Sequence, residues 1–264
     1  MNRIAFIGGG NMARALVRGL RDAGHQAIEV ADPSAEQRGY FSQLGVAATD
    51  DNLAAASVAD VVVLAVKPQH MAEVVQGLAP ALSFRRPLII SIAAGIRTSA
   101  LADWIGVDLP IVRCMPNTPA LIGAGITGLY AAPGVDAGAA ACAESLLATV
   151  GRTLWVADEG DLDAVTAISG SGPAYVFLFL EALAEAGVAL GLSPAVAAEL
   201  ALATASGATR LAQGSGQGLA ELRQQVTSKG GTTERALQAF ADGGLKPLVL
   251  AAAKAAWQRS RELS

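Results

Sequence analysis

The chain has 264 residues, a formal net charge of −4 and 52% hydrophobic residues, enough apolar side chain for a sizeable core in one large domain or two modest ones. Its interspersed charges offer no basic footprint for nucleic acid or for an anionic membrane, which leaves small molecules as the expected partners. With His25 and His70 the only histidines, a histidine triad or multi-histidine metal centre has almost nothing to build on, and no metal is expected.

The N-terminal MNRIAFIGGGNMARAL has a short apolar run that glycines break, so it reads as a retained first strand and not as a signal-peptide core. The longest apolar stretches, VFLFLEALAEAGVAL and LVLAAAKAAW, are interrupted by Glu181, Glu185 and Lys254 and fall short of the roughly 20 uninterrupted residues of a spanning helix. A soluble, cytoplasmic protein is expected. Cys114 and Cys142 lie in a strand-like and an Ala-rich helical segment, which fits reduced thiols and no disulfide.

Through about residue 157, short β-rich runs alternate with Ala-rich helical stretches: RIAFIG, QAIEVAD, DVVVLAV, LIISIAA, LPIVRCM, ITGLYAA and TLWVA. Such alternation predicts βαβ units and a mostly parallel, buried sheet. The first strand runs into Gly8-Gly9-Gly10-Asn11-Met12-Ala13 and then a helical run. In this G-x-G-x-x-A pattern Gly8 permits the tight turn, Gly10 lets the backbone approach a pyrophosphate and Ala13 allows close helix–strand packing, so a dinucleotide is the expected cofactor.

The second strand ends at Asp32, about 20 residues beyond that turn, where a carboxylate accepts from an adenosine ribose and disfavours a 2′-phosphate. Asp32-Pro33-Ser34 also reads as an ordinary turn starter, and Arg38 from the next helix is within reach of a phosphate, so NADH and NADPH both stand. Three later strand ends carry Ala65-Val66-Lys67-Pro68, Ala93-Ala94-Gly95 and Met115-Pro116-Asn117-Thr118-Pro119. Because ligands of open α/β sheets bind outside the carboxyl ends of the strands, these loops are expected to line one crevice with the glycine turn.

From residue 158 to 264 the strand-like runs give way to 3.6-period helical segments, and the domain boundary is placed there. Segments 173–190 and 194–212 are apolar on most sides, and about 105 residues cannot easily bury them alone, which predicts dimerisation through the helical half. Two glycine-rich segments stand out: Ser169-Gly170-Ser171-Gly172, and Val226-Thr227-Ser228-Lys229-Gly230-Gly231-Thr232-Thr233 before the helical ERALQAF. The second directs amides and hydroxyls toward one spot at a helix start, a site for a carboxylate or an ordinarily capped helix.

FIGGGNMA, AVKPQ, SIAAGI, RCMPNTPA, DAVTAISGSGPAY and VTSKGGTTERAL, in this order, resemble the pyrroline-5-carboxylate reductase family over essentially the whole chain. The resemblance implies an N-terminal Rossmann dinucleotide-binding domain (1–157) and an all-α dimerisation and substrate-binding domain (158–264) whose helices interleave with a second subunit, with dimers often joined in rings. It implies reduction of 1-pyrroline-5-carboxylate by NADPH or NADH to L-proline, with the substrate carboxylate held by Ser228, Gly230, Gly231, Thr232 and Thr233. Thr233 would meet the ring nitrogen as the catalytic residue, with Glu159 at the substrate edge. The cofactor contacts that the resemblance implies are Gly8, Gly10, Asn11, Met12, Asn52, Ala65, Val66, Lys67, Pro68, Ala93, Ala94 and Gly95, and the motif and strand-end readings add Gly9, Asp32 and Asn117. Asp32-Pro33 departs from the Ser or Asn plus Arg of many members, which weakens the presumption of NADPH. A β-hydroxyacid dehydrogenase shares this layout but uses a lysine after its glycine-rich segment, where this chain reads PAYVFLFLEAL. A dinucleotide-binding regulator without catalysis is the other reading.

Overall fold

The computed structural model describes residues 2–263. In chain order its elements are β1 (Ile4–Ile7), α1 (Asn11–Asp22), β2 (Ile28–Ala31), α2 (Ala35–Gln43), β3 (Ala47–Thr49), α3 (Asn52–Ser57), β4 (Val61–Leu64) and α4 (Pro68–Arg85). There follow β5 (Leu88–Ser91), α5 (Thr98–Ile105), β6 (Ile111–Met115), β7 (Gly125–Ala131), α6 (Ala137–Leu147), β8 (Gly151–Trp155) and α7 (Asp161–Val165). The remainder is helical: α8 (Gly172–Ala189), α9 (Pro194–Ser215), α10 (Leu219–Gln225), α11 (Thr232–Asp242) and α12 (Leu245–Glu262). Chain contacts divide these into two compact units, one of residues up to Ser171 together with those from Ala256 onward, the other Gly172–Ala255.

The first unit is built on one sheet in the order β3-β2-β1-β4-β5-β6-β7-β8. All neighbours run parallel except β6 and β7. Alternate residues along each strand feed opposite layers, because side chains alternate across a strand. Ile4, Phe6, Val61, Val63 and Ile90 pack with α1, α2 and α6, while Ala5, Ile7, Val62, Leu64 and Ile89 pack with α3, α4 and α5. Burial on both faces explains why these strands read as continuous apolar runs. The seven expected strands are all present; β3, three residues long, is an additional one.

In the second unit α8 and α9 form a helical hairpin, and Gly187 brings α8 so close to α9 that an added Cβ would lie 2.9 Å from the Ala197 Cβ. The rings of Phe179 and Phe240 stand 6.4 Å apart. None of the α8 residues is buried, although the helix carries Val176, Phe177 and Leu178. A continuous helical run, Asp161–Ala189, is long and apolar enough by length and composition to cross a membrane, with a mean hydropathy of 1.3 in its best window. It begins well upstream of the apolar stretch visible in the sequence and contains Glu181 and Glu185. Within it, Thr166–Gly170 widens to a π-turn, a local form frequent at functional sites.

Candidate active site

The register aligns Thr49, Ala31, Ile7, Leu64, Ser91 and Arg113 across the sheet, so the loops after β3, β2, β1, β4, β5 and β6 leave from one edge. The strand order reverses between β1 and β4, and it is at such a switch point that open α/β sheets take their ligands. The structure thereby gathers Gly8–Met12, Asp32, Asn52, Ala65–Pro68, Ala93–Gly95 and Asn117 along one rim.

At the β1–α1 turn Gly8 has φ +103°, and a Cβ there would sit 2.7 Å from the Ala65 carbonyl oxygen, so only glycine fits. A Cβ on Gly10 would meet nothing within 4 Å, leaving the outer face of the turn open. Gly10 begins α1 without a side-chain cap, and the first turn of α1 carries no acidic residue. The free amides and the positive end of the helix thus face outward, suited to a pyrophosphate. Asn11 and Met12 open the helix, and buried Ala13 packs it against the sheet.

Asp32 is tied into this turn. Its Oδ2 accepts from Gly9 N at 2.7 Å and its Oδ1 from Ser34 N at 2.8 Å. The turn-starter reading is thus visible, as Asp32 closes the turn after β2, and the same carboxylate also braces the glycine loop. Arg38 lies behind it, donating through Nη1 to the carbonyls of Asp32 and Pro33, both at 2.8 Å, with Nη2 3.7 Å from Asp50. Asn52 is the first residue of α3, after Asp51 caps the helix by accepting from Ala54 N. Lys67 and Pro68 begin α4, with proline at a position where its missing N–H costs nothing.

Asn117 is 9% exposed, and its amide joins two segments by donating to Ser169 O (3.1 Å) and accepting from Ile126 N (2.9 Å). Within the first glycine-rich segment Gly170 packs tightly, because a Cβ there would fall 2.6 Å from Met115 Cε, whereas a Cβ on Gly172 would meet nothing within 4 Å.

Glu159 is enclosed by protein donors. Its Oε1 accepts from Thr98 N (2.8 Å) and from Arg113 Nη1 (3.1 Å), and its Oε2 accepts from Thr98 Oγ1 (3.1 Å). The Arg113 side chain is 3% exposed, a guanidinium inside a core strand that this carboxylate neutralises. Beside it Asp163, 1% exposed, accepts from Arg97 Nη2 (3.2 Å) and from Ser260 Oγ (2.8 Å). This network of Arg97, Thr98, Arg113, Asp163 and Ser260 escaped the sequence reading; its one visible trace was an arginine within the apolar run LPIVRCM.

In the second unit the 228–233 loop precedes α11. Gly230 turns the chain at φ +75° and donates to Glu234 Oε2 at 2.7 Å, while Gly231 N donates to Ser228 O at 3.0 Å. Gly231 caps α11 without a side chain, so the amides of Thr232 and Thr233 open the helix. Glu234 holds this loop by reaching back from the first turn of the helix, a variant of the capping box. A cleft of 560 Å³ among α10, α11 and the start of α12 touches the loop region through Thr227 and Glu234.

The family model for pyrroline-5-carboxylate reductase dimerisation matches residues 159–263, and that for coenzyme F420-dependent NADP oxidoreductases matches residues 3–95. The chain is 51% identical to a pyrroline-5-carboxylate reductase of Pseudomonas aeruginosa, over 99% of this chain and 97% of that protein. The structure is similar to that of a pyrroline-5-carboxylate reductase from Coxiella burnetii, with TM-score 0.95 and 44% identity over 100% of this chain and 98% of the other. It also resembles a Plasmodium falciparum pyrroline carboxylate reductase crystallised with NADP bound, with TM-score 0.89, 31% identity and coverage of 99% and 98%.

Proposed function

The chain belongs to the pyrroline-5-carboxylate reductase family, and we propose that it completes proline biosynthesis by dividing the reduction of 1-pyrroline-5-carboxylate between the glycine-turn rim and the 228–233 loop. The observation that carries the first role is the turn itself: Gly8 permits it, Gly10 leaves it open, and α1 begins without a cap or an acidic side chain. These features fit a dinucleotide pyrophosphate. When bound, the dinucleotide, as NADPH or NADH, would supply the hydride that, with a proton on nitrogen, turns the ring CH=N of the substrate into the CH2–NH of L-proline.

The protein's part is positioning. A protonated imine is already electrophilic, so the chain mainly fixes geometry and excludes water. Gly8–Met12, Asp32, Asn52, Ala65–Pro68, Ala93–Gly95 and Asn117 form the cofactor side, with Asp32 and Asn117 contributing by holding backbone segments in place. The amides of Gly230 to Thr233, with the Ser228 and Thr232 hydroxyls, hold the substrate carboxylate, and Thr233 Oγ1 orients the ring nitrogen. Glu159 serves the site through Thr98 and Arg113. The absence of lysine from α8 disfavours alcohol oxidation of the β-hydroxyacid type.

Pairing of the second unit with its counterpart in another copy would cover the apolar side chains of α8, and we take a homodimer, extended in a ring of dimers, as the working assembly. The two free cysteines are in keeping with a reducing cytoplasm. Consumption of NADPH or NADH on addition of pyrroline carboxylate tests the reading. Thr233→Ala is expected to lower kcat/KM by about tenfold, the value of one well-placed hydrogen bond, and full activity in that variant removes Thr233 from the mechanism.

A further inference from the structure

The chain terminus is fastened to the loop between β5 and α5. Gly95, buried and at φ +78°, lies so close to Leu263 that a Cβ there would meet its carbonyl oxygen at 2.7 Å and its Cβ at 3.0 Å. Two residues further on, Arg97 pairs with Asp163, whose other oxygen accepts from Ser260. The Leu263 N–H closes the terminal turn onto Ser260 O at 3.2 Å. The 95–97 segment is thus flanked by the terminus at one end through Leu263 and at the other through Asp163 and Ser260. Glu159 fixes the next residue, Thr98, by accepting from both its amide and its hydroxyl.

We propose that Ser260 to Leu263 form a positioning strap for the Ala93-Ala94-Gly95 loop, so that dinucleotide affinity depends on the last residues of the chain, far from the glycine turn in sequence. The proposal rests on the assignment of that loop to the cofactor rim. Ser260, 4% exposed, and Asp163, 1% exposed, form their hydrogen bond where water does not compete, so it persists through solvent fluctuations. The loop is otherwise a glycine-containing connection that backbone entropy would loosen, and a loop that must be ordered at binding binds more weakly. Gly95 is required because the strap runs across its Cα.

The test uses the full-length enzyme, a form ending at Arg259, and the point variants Ser260→Ala, Ser260→Thr and Gly95→Ala. Dissociation constants for NADPH and NADH are measured without substrate, alongside KM for each reactant, kcat and Tm. The strap predicts that truncation and Ser260→Ala raise the dinucleotide Kd by about tenfold, with kcat at saturating dinucleotide and KM for pyrroline carboxylate within about twofold of the parent. Ser260→Thr restores the affinity. Because truncation removes the backbone that Gly95→Ala strikes, the two changes together cost less than the sum of their separate effects. Dinucleotide affinity unchanged in the truncated form, or additive effects of the pair, overturns the strap. If the truncated form does not fold, the two Ser260 variants decide between the outcomes: affinity lost in Ser260→Ala and regained in Ser260→Thr supports the strap, and affinity unchanged in Ser260→Ala overturns it. Binding of dinucleotide without turnover of pyrroline carboxylate in the parent enzyme would refute the proposed function and leave the strap measurable.

Discussion

Replacing Asp32 separates two ways a carboxylate can influence cofactor choice. In Asp32→Ala the Gly9 and Ser34 amides lose their acceptor at 2.7 and 2.8 Å. Gly9 is buried, and an amide stranded there costs about 1–3 kcal/mol. Ser34 is exposed and rehydrates, at about 0.5 kcal/mol. A total of about 1.5–3.5 kcal/mol corresponds to a fall in Tm of about 3–14 °C for a chain of this size, and the loosened glycine turn raises the KM for NADH and NADPH in parallel. Asp32→Asn keeps one acceptor and falls between. The assay is initial rates with both nucleotides beside thermal unfolding by circular dichroism. The reasoning fails if Asp32→Asn keeps the parent Tm while its preference for NADPH over NADH rises tenfold or more, because the side chain would then act by charge on the 2′ position.

Glu159→Gln leaves the Arg113 guanidinium buried without a counter-charge, and a loss of about 3–5 kcal/mol is expected from urea unfolding; a change under about 0.5 kcal/mol would show that the pair is dispensable. Ser91, fully buried at the end of β5, has a hydroxyl without a hydrogen-bond partner among the described residues. Ser91→Ala should therefore leave Tm unchanged or raise it, and a clear fall would reveal a bond to that oxygen. Burial pushes the Cys114 thiol far above its ordinary value of 9.0, so the folded protein holds it neutral. Its contribution to stability is complete below pH 9.0 and is lost as pH rises beyond, where the unfolded thiol ionises first. Urea midpoints across alkaline pH should fall more steeply in the parent than in Cys114→Ala. A thiol reagent should modify at most Cys142 in the folded protein and both cysteines in denaturant.

What the sequence made legible was local. Gly8 could be read because a tight strand-to-helix turn admits no side chain, and VVVL because a strand covered on both faces must be apolar throughout. β3 was missed because Ala-Ala-Thr is too short for a period to emerge. The partners of Arg113 and Asp163 lie 46 and 97 residues further along the chain, in Glu159 and Ser260. No periodicity encodes such pairings, since they are decided by which strand ends and helices the fold brings together. Family resemblance implies Glu159 at the substrate edge, but no sequence signal told of the Thr98 and Arg113 donors that engage both of its oxygens. Glu234 lay within reach of inspection, as its bond to Gly230 spans only four residues.

Helix α8 leaves Phe177 and Leu178 about two-thirds accessible, 66% and 65%, on an isolated copy. Side chains of that size are worth about 1.5–3 kcal/mol each when withdrawn from water, so a subunit on its own forgoes a substantial share of the free energy that its sequence makes available. In the proposed homodimer, mass action would then set the resistance of the helical half to unfolding. Dilution of that dimer would be a stress in its own right, and a substitution on this face would weaken it most where copies are scarce.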